Sequence, residues 1–231
     1  MNDLKEYFRN NRARMIHKWA HYFEVYERHL AHYRGKQINL LEIGVYQGGS
    51  LQMWKQYFGD KATIWGIDIN PLCTQFAEDH VNIRIGDQGD ETFLESIAAE
   101  LPRLDVLIDD GGHTMQQQRM TLKFLYPRVA DEGVYICEDL HTSYWPEYGG
   151  GYRDPHSFIE FSKSLIDDLH AWHSRDSQSL AVSSFTRSTF ALHFYDSILV
   201  IEKRPRERPR DRRTGMTTIP DSAFLPPPPR R

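Results

Sequence analysis

Leu40-Leu41-Glu42-Ile43-Gly44-Val45-Tyr46-Gln47-Gly48-Gly49-Ser50 is the stretch that decides the fold. The apolar run Leu40–Ile43 has the length of a buried strand, a glycine-rich turn follows, and a helical pattern begins at Leu51. Strand, glycine turn and helix form the unit of a nucleotide-binding loop. Gly44 and Gly48 let the backbone approach a ligand where a Cβ would clash. The spacing Glu42-x-Gly44-x-x-x-Gly48 is neither the dinucleotide fingerprint nor a Walker loop, because no Gly-Lys-Ser/Thr follows. An acidic residue ahead of the loop suits a cationic ligand better than a pyrophosphate.

Moving outward, four more apolar runs each end in polar residues. Ala62–Ile67 ends in Asp68, and Val81–Ile85 precedes Gly86-Asp87-Gln88. Leu104–Ile108 precedes Asp109-Asp110-Gly111-Gly112-His113, and Val134–Cys137 precedes Glu138-Asp139-Leu140-His141. Such runs read as the buried strands of a parallel sheet. Ligands of open α/β sheets bind outside the carboxyl ends of the strands. Asp68, about twenty residues after the loop, stands where a carboxylate accepts ribose hydroxyls, and Asp87 and Gln88 stand where an adenine edge would lie. In series, Glu42, Gly44, Gly48, Asp68 and Asp87 describe one adenosyl ligand over the first three strands. The acids of the last two strand ends converge with His113 and repel one another unless a cation or protons neutralise them. A hard-metal site follows.

Near the C-terminus, Thr189–Phe194 and Ile198–Ile201 joined at Asp196-Ser197 read as an antiparallel hairpin at the sheet edge. The expected fold is therefore α/β, a Rossmann-like, doubly wound, mostly parallel sheet. The first 32 residues read as helical, with Leu4, Phe8, Met15, Ile16, Trp19, Phe23, Tyr26 and Leu30 at helical spacing. Pro155–His173 reads as a further helix. The expected organisation is a helical cap over 1–35, a catalytic domain over 36–203 and an extended Pro/Arg-rich tail over 204–231 ending in Pro226-Pro227-Pro228-Pro229. That tail holds eight Arg against three acids, so it carries +5 while the remainder carries −9. No aromatic residues interleave with its arginines, so no nucleic-acid partner is expected. No apolar run approaches a membrane span, no signal-peptide pattern precedes the charged N-terminus, and Cys73 and Cys137 form no disulfide framework. A cytoplasmic enzyme is expected, with a homodimer or larger homo-oligomer as the default for a compact enzyme.

The order Glu42-x-Gly44, Asp68, Asp87, Asp109 resembles the class I S-adenosylmethionine-dependent methyltransferases. From about Lys18 to Lys203 the chain resembles a narrower group, the metal-dependent sugar O-methyltransferases of the demethylmacrocin and mycinamicin type. Relatives of that group include polysaccharide-modifying methyltransferases and cephalosporin hydroxylase-like proteins. The matching stretches are Tyr26-Glu27-Arg28-His29-Leu30, Leu41–Trp54, Ile108–His113, Glu138–Trp145, Gly149-Gly150-Gly151 and Trp172-His173-Ser174-Arg175-Asp176. The macrolide enzymes of this type carry an extra N-terminal domain for which this chain has no room.

The resemblance implies S-adenosylmethionine and Mg²⁺ as cofactors. It puts the metal ligands on Asp110, Glu138 and Asp139, and the general base on His113. The cofactor would contact Glu42, Gly44, Gly48, Ser50, Asp68, Asp87, Gln88 and Asp109, the last orienting either His113 or the cofactor's amino group. The acceptor would be a sugar or glycoside, meeting His141, Tyr144 and Trp145 in an aromatic, glycine-rich loop, since aromatic rings suit the weakly apolar C–H faces of carbohydrate. A non-sugar diol is the alternative acceptor. An iron oxygenase would want two histidines and one carboxylate, and a non-catalytic scaffold would lack the base or the ligands.

Overall fold

The computed structural model describes residues 3–220 and residue 223. Five strands run parallel: β1 (Ile38–Ile43), β2 (Ala62–Asp68), β3 (Val81–Ile85), β4 (Leu104–Asp109) and β5 (Val129–Cys137). An antiparallel hairpin of β6 (Thr189–Tyr195) and β7 (Ile198–Lys203) completes the sheet through β7, giving the order β3-β2-β1-β4-β5-β7-β6. The strand order reverses between β1 and β4, so their carboxyl ends open a crevice there, at the topological switch point. β5 begins five residues before Val134. The polar Asp131-Glu132-Gly133 interrupts the apolar pattern, and the register with β4 shifts between Leu104 and Val106.

Alternate strand residues feed opposite faces. Leu40, Val106, Ile108, Val134 and Ile136 pack with α1 (Asp3–Asn10), α2 (Tyr22–Leu30) and α3 (Gly49–Phe58). Leu41, Ile43, Leu107, Tyr135 and Cys137 pack with α4 (Glu91–Glu100), α5 (Met115–Leu125) and α6 (Phe158–His170). Asp90 caps α4 by accepting from the amides of Thr92 and Phe93, and Ser157 caps α6 by accepting from Glu160. Among the described residues no helix is long and apolar enough to cross a membrane, and both cysteines are buried and unpaired.

The N-terminal region departs from the continuous helix expected. α1 stops at Asn10, and the Asn11 side chain ties the next turn, accepting from Ala13 N and donating to Arg14 O. Residues 13–19 then cross the start of α3 without helical structure. A Cβ on Gly49 would lie 2.2 Å from Met15 O, so α3 must begin with glycine for the segment to pass. Met15 and Trp19 point outward rather than into the core. Residues 204–220 form no helix or strand and are mostly exposed, and Pro226–Pro229 fall outside the described residues.

Trp54 is fully buried and meets Tyr26 edge-on at 5.2 Å, joining α3 to α2. Trp54→Ala should lower unfolding stability by about 3–5 kcal/mol, read as a fall in the urea midpoint. A loss under about 1 kcal/mol would show that this contact is not part of the packed core.

Candidate active site

The rim begins with two glycines in left-handed backbone. Gly44 (φ +94°) would place a Cβ 1.9 Å from Asp110 O, and Gly48 (φ +70°) would drive one into the Phe76 ring at 2.7 Å. Both glycines are therefore required by neighbouring protein atoms. The amides of Val45 and Tyr46 donate to Asp68 Oδ2, each at 2.9 Å, while Asp68 Oδ1 accepts from Asn70 N. Asp68 thus ties the glycine loop to the end of β2.

A cavity of about 500 Å³ lies over this loop. Gly44, Asp68, Asp87, Gln88, Asp110, His113 and Asp139 line it, with Tyr46, Ile69 and Gln117, which the sequence did not single out. Gly48 and Ser50 do not line it, and two of the expected contact residues are interior. Glu42 is fully buried beneath the loop and accepts from Ser50 Oγ at 2.6 Å. Asp109 is 1% exposed and accepts from Gln88 Nε2 at 2.6 Å and from Tyr135 Oη at 3.3 Å. Burial raises its carboxyl to about 6. Gln88 is committed as well: its amide also donates to Thr121 Oγ1, and its oxygen accepts from Gly112 N. That amide braces the turn before His113. Asp87 is exposed at the cavity, and its side chain accepts from Gly89 N.

The acids of β1, β4 and β5 converge on a cation that the sequence reading missed. Lys18 Nζ lies 2.7 Å from Asp110 Oδ2, 3.0 and 3.1 Å from the two Glu138 oxygens, and 3.3 Å from Glu42 Oε1. Its side chain is 2% exposed. Burial alone would lower the pKa of this ammonium, but Asp110, Glu138, Tyr26 and Glu42 together raise it well above its ordinary value. Burial raises Glu138 and Glu42, and Lys18 opposes both shifts. Two tyrosines of α2 complete the acids' bonding: Tyr26 donates to Glu138 Oε1 and Tyr22 to Asp139 Oδ1, both at 2.6 Å. No motif marks Lys18. The signal available was charge balance, since converging carboxylates require a counter-ion.

His113 faces the outer side of the same acids. Its Nε2 lies 3.3 Å from Asp139 Oδ2 and 3.8 Å from Asp110 Oδ1, and burial lowers its pKa, favouring the neutral ring. Its Nδ1 is buried without a hydrogen-bond partner. Tyr46, His113 and Asp139 all adopt positive φ, near +50 to +56°, and all line the cavity. Backbone strain of this kind concentrates at functional sites.

A second cavity, of about 190 Å³, adjoins the first. It is lined by Lys18, Trp19, Tyr22 and the three carboxylates Asp110, Glu138 and Asp139. Beside it, His141 bonds Ser197 Oγ through Nδ1 and meets Trp19 and Trp145 at 5.5 and 4.7 Å. Tyr144 and Trp145 remain nearly half exposed. The loop that carries them is docked: it winds as 3₁₀ turns, and the amides of Gly150 and Gly151 return to the carbonyls of Trp145 and Ser143. A larger cavity, of about 720 Å³ beside α1, contains none of the rim residues.

The sheet order is that of the class I methyltransferase fold, and the family model described as "Methyltransferase domain" matches residues 41–140. Within that class the chain is homologous to sugar O-methyltransferases. It is 34% identical over 197 residues to the 8-demethyl-8-alpha-L-rhamnosyl tetracenomycin-C 2′-O-methyltransferase of Streptomyces olivaceus, covering 81% of this chain and 52% of that protein. It is 36% identical to the demethylmacrocin O-methyltransferase of Streptomyces fradiae, covering 80% and 50%. The solved structure of MycE methyltransferase from the mycinamycin biosynthetic pathway, in complex with Mg and SAH, superposes with a TM-score of 0.77 at 30% identity, covering 88% of this chain and 54% of that one. The chain thus spans about half the length of these relatives.

Lys18→Met leaves Glu42 and Glu138 buried without their counter-ion, at a cost of about 3–5 kcal/mol. Carboxyls raised in the folded state favour folding at low pH and lose that contribution as pH rises through their folded values. The deficit against wild type should therefore be small near pH 4.5 and grow toward pH 7.5, measured by urea denaturation across that range. A pH-independent deficit would show that Lys18 contributes packing rather than charge.

Proposed function

We propose that the protein is an S-adenosylmethionine- and Mg²⁺-dependent O-methyltransferase that modifies a sugar hydroxyl. The observation that carries this reading is the wall shared by the two cavities. Asp110 and Asp139 line both, so a methyl donor in the larger and an acceptor in the smaller would meet across one set of carboxylates. Homology to enzymes that methylate rhamnosyl and macrolide sugars supports the same chemistry.

S-Adenosylmethionine would supply the electrophilic methyl group, and Asp68 and Asp87 would hold its ribose and its adenine end. Asp110, Glu138 and Asp139 would hold a divalent cation. The fit rests on a donor set that is all carboxylate oxygen, as Mg²⁺ prefers, and on an ammonium that already sits among two of these acids and Glu42. Such a cation would supply Lewis acidity to lower the pKa of an acceptor hydroxyl. His113 takes the proton: burial favours its neutral form, and its ring stands beside the shared wall. Trp19, which lines the smaller cavity, and His141 and Trp145, whose rings continue from it, offer the sugar an apolar face, with Tyr144 exposed on the same loop. The Tyr22 and Tyr26 hydroxyls fix Asp139 and Glu138, which keeps the carboxylates oriented. We place the enzyme in the cytoplasm, in antibiotic or polysaccharide modification, as a homodimer or larger homo-oligomer.

Incubation with S-adenosylmethionine, Mg²⁺ and a panel of rhamnosides, other glycosides and catechols should yield a mono-methylated glycoside by mass spectrometry, and none after chelation. Methylation of the catechols alone would move the acceptor to a non-sugar diol.

His113→Ala should keep calorimetric binding of the demethylated cofactor but lose about 10²–10⁴-fold in turnover, the usual contribution of a general base. His141→Ala should lose less. Turnover by His113→Ala near the wild-type rate would assign the proton to another group.

A further inference from the structure

Beyond the rim, α2 and the terminal hairpin bring together two imidazoles and a carboxylate. His193 and Glu202 lie on one face of the hairpin, as diagonal neighbours in a register that pairs Ala191 with Glu202 and His193 with Val200. His29, in the last turn of α2, descends onto that face. Glu202 Oε1 lies 3.0 Å from His193 Nε2 and 3.4 Å from His29 Nδ1, and the ligand atoms of all three residues fall within 4.8 Å of one another. A tetrahedral ion with bonds of about 2.0–2.2 Å separates its ligand atoms by roughly 3.3 Å, so two of the three edges of the ligand triangle are already in place.

The surroundings are those of a metal-binding imidazole. A ligating histidine commonly bonds a second group through its other nitrogen, which fixes the ring. His29 Nε2 meets Tyr195 Oη at 2.8 Å, leaving Nδ1 directed to Glu202. The His29 side chain is 5% exposed, while His193 and Glu202 are about one-third exposed, so the cluster is anchored on one side and open to an ion on the other. A cavity of about 160 Å³ lined in part by His29, His32 and Glu202 adjoins it, with space for a water as fourth ligand. All three candidate ligands sit on regular elements rather than loops, which keeps their geometry fixed.

We propose that His29, His193 and Glu202 form a second metal site, for a borderline transition-metal ion of the Zn²⁺ type, that fastens α2 to the β6–β7 hairpin. Two imidazoles with one carboxylate suit such an ion and are poorly matched to Mg²⁺. The site is structural. It stands at the opposite end of α2 from Tyr22, which bonds the rim carboxylate Asp139.

The test is titration of Mg²⁺-saturated protein with Co²⁺, whose visible spectrum separates tetrahedral nitrogen-containing sites from octahedral oxygen sites, followed by displacement with Zn²⁺. One equivalent with a tetrahedral spectrum is expected. It should persist in an Asp110→Asn/Asp139→Asn variant, which lacks the rim site, and vanish in His193→Gln. Tyr195→Phe should weaken Zn²⁺ by about 10–100-fold through loss of the bond that holds the His29 ring. Zn²⁺ should also raise the melting temperature of wild type but not of His193→Gln. Circular dichroism confirms that each variant is folded, and Tyr195→Phe, which removes a single hydroxyl, carries the test if His193→Gln does not fold. No tetrahedral spectrum in the Mg²⁺-saturated protein, or equal Zn²⁺ affinity in wild type and Tyr195→Phe, would overturn the proposal and leave the cluster as hydrogen-bonded packing.

Discussion

A buried ammonium among carboxylates is the interaction on which the site depends. Glu42, Asp110 and Glu138 come from the ends of three parallel strands, and the sheet brings them together whatever their charge. Without a cation, burial would force protonation or drive the strand ends apart. Lys18 removes that conflict and fixes which oxygens remain for other partners. Asp110 directs Oδ2 to Lys18 and Oδ1 toward His113. Asp139 gives Oδ1 to Tyr22 and keeps Oδ2 beside His113. The outer oxygens define the polar wall between the two cavities.

Around this centre the rim is built in two tiers. Gln88, Asp109, Thr121 and Tyr135 form an inner network that braces the turn carrying His113. Asp68, Asp87, Asp110, His113 and Asp139 form the outer tier that lines the larger cavity. The inner tier rigidifies the outer one, because a buried polar network whose bonds are made permits few alternative arrangements. A ligand therefore meets side chains already held in place.

The sheet was largely legible in the sequence because its strands are short apolar runs with polar punctuation, a local signal. The strand-end acids were legible for the same reason, since topology alone carries them to one rim. Which acid faces a ligand was not. Asp109 and Asp110 are adjacent and chemically alike, yet strand alternation buries the first and opens the second to the cavity. Glu42 is likewise buried, and Gln88 lines the cavity while its side chain is bonded into the inner network. The apolar residues of the N-terminal segment recur at helical spacing, but the Asn11 side chain turns the chain locally and the passage across Gly49 is set by a tertiary contact. Lys18 had no local signal at all.

The separation in sequence between Lys18 and its partners also bears on how the rim is assembled. Lys18 is 24 residues from Glu42, 92 from Asp110 and 120 from Glu138. During synthesis it leaves the ribosome well before β5 exists, and it cannot be seated until β4 and β5 have added to β1. Contacts of this range repay their loop-closure entropy only after the intervening chain has folded. The N-terminal segment is thus made among the first and docked among the last. Until it docks, the growing chain carries a cluster of uncompensated acids, which favours an open strand-end crevice over a prematurely closed one.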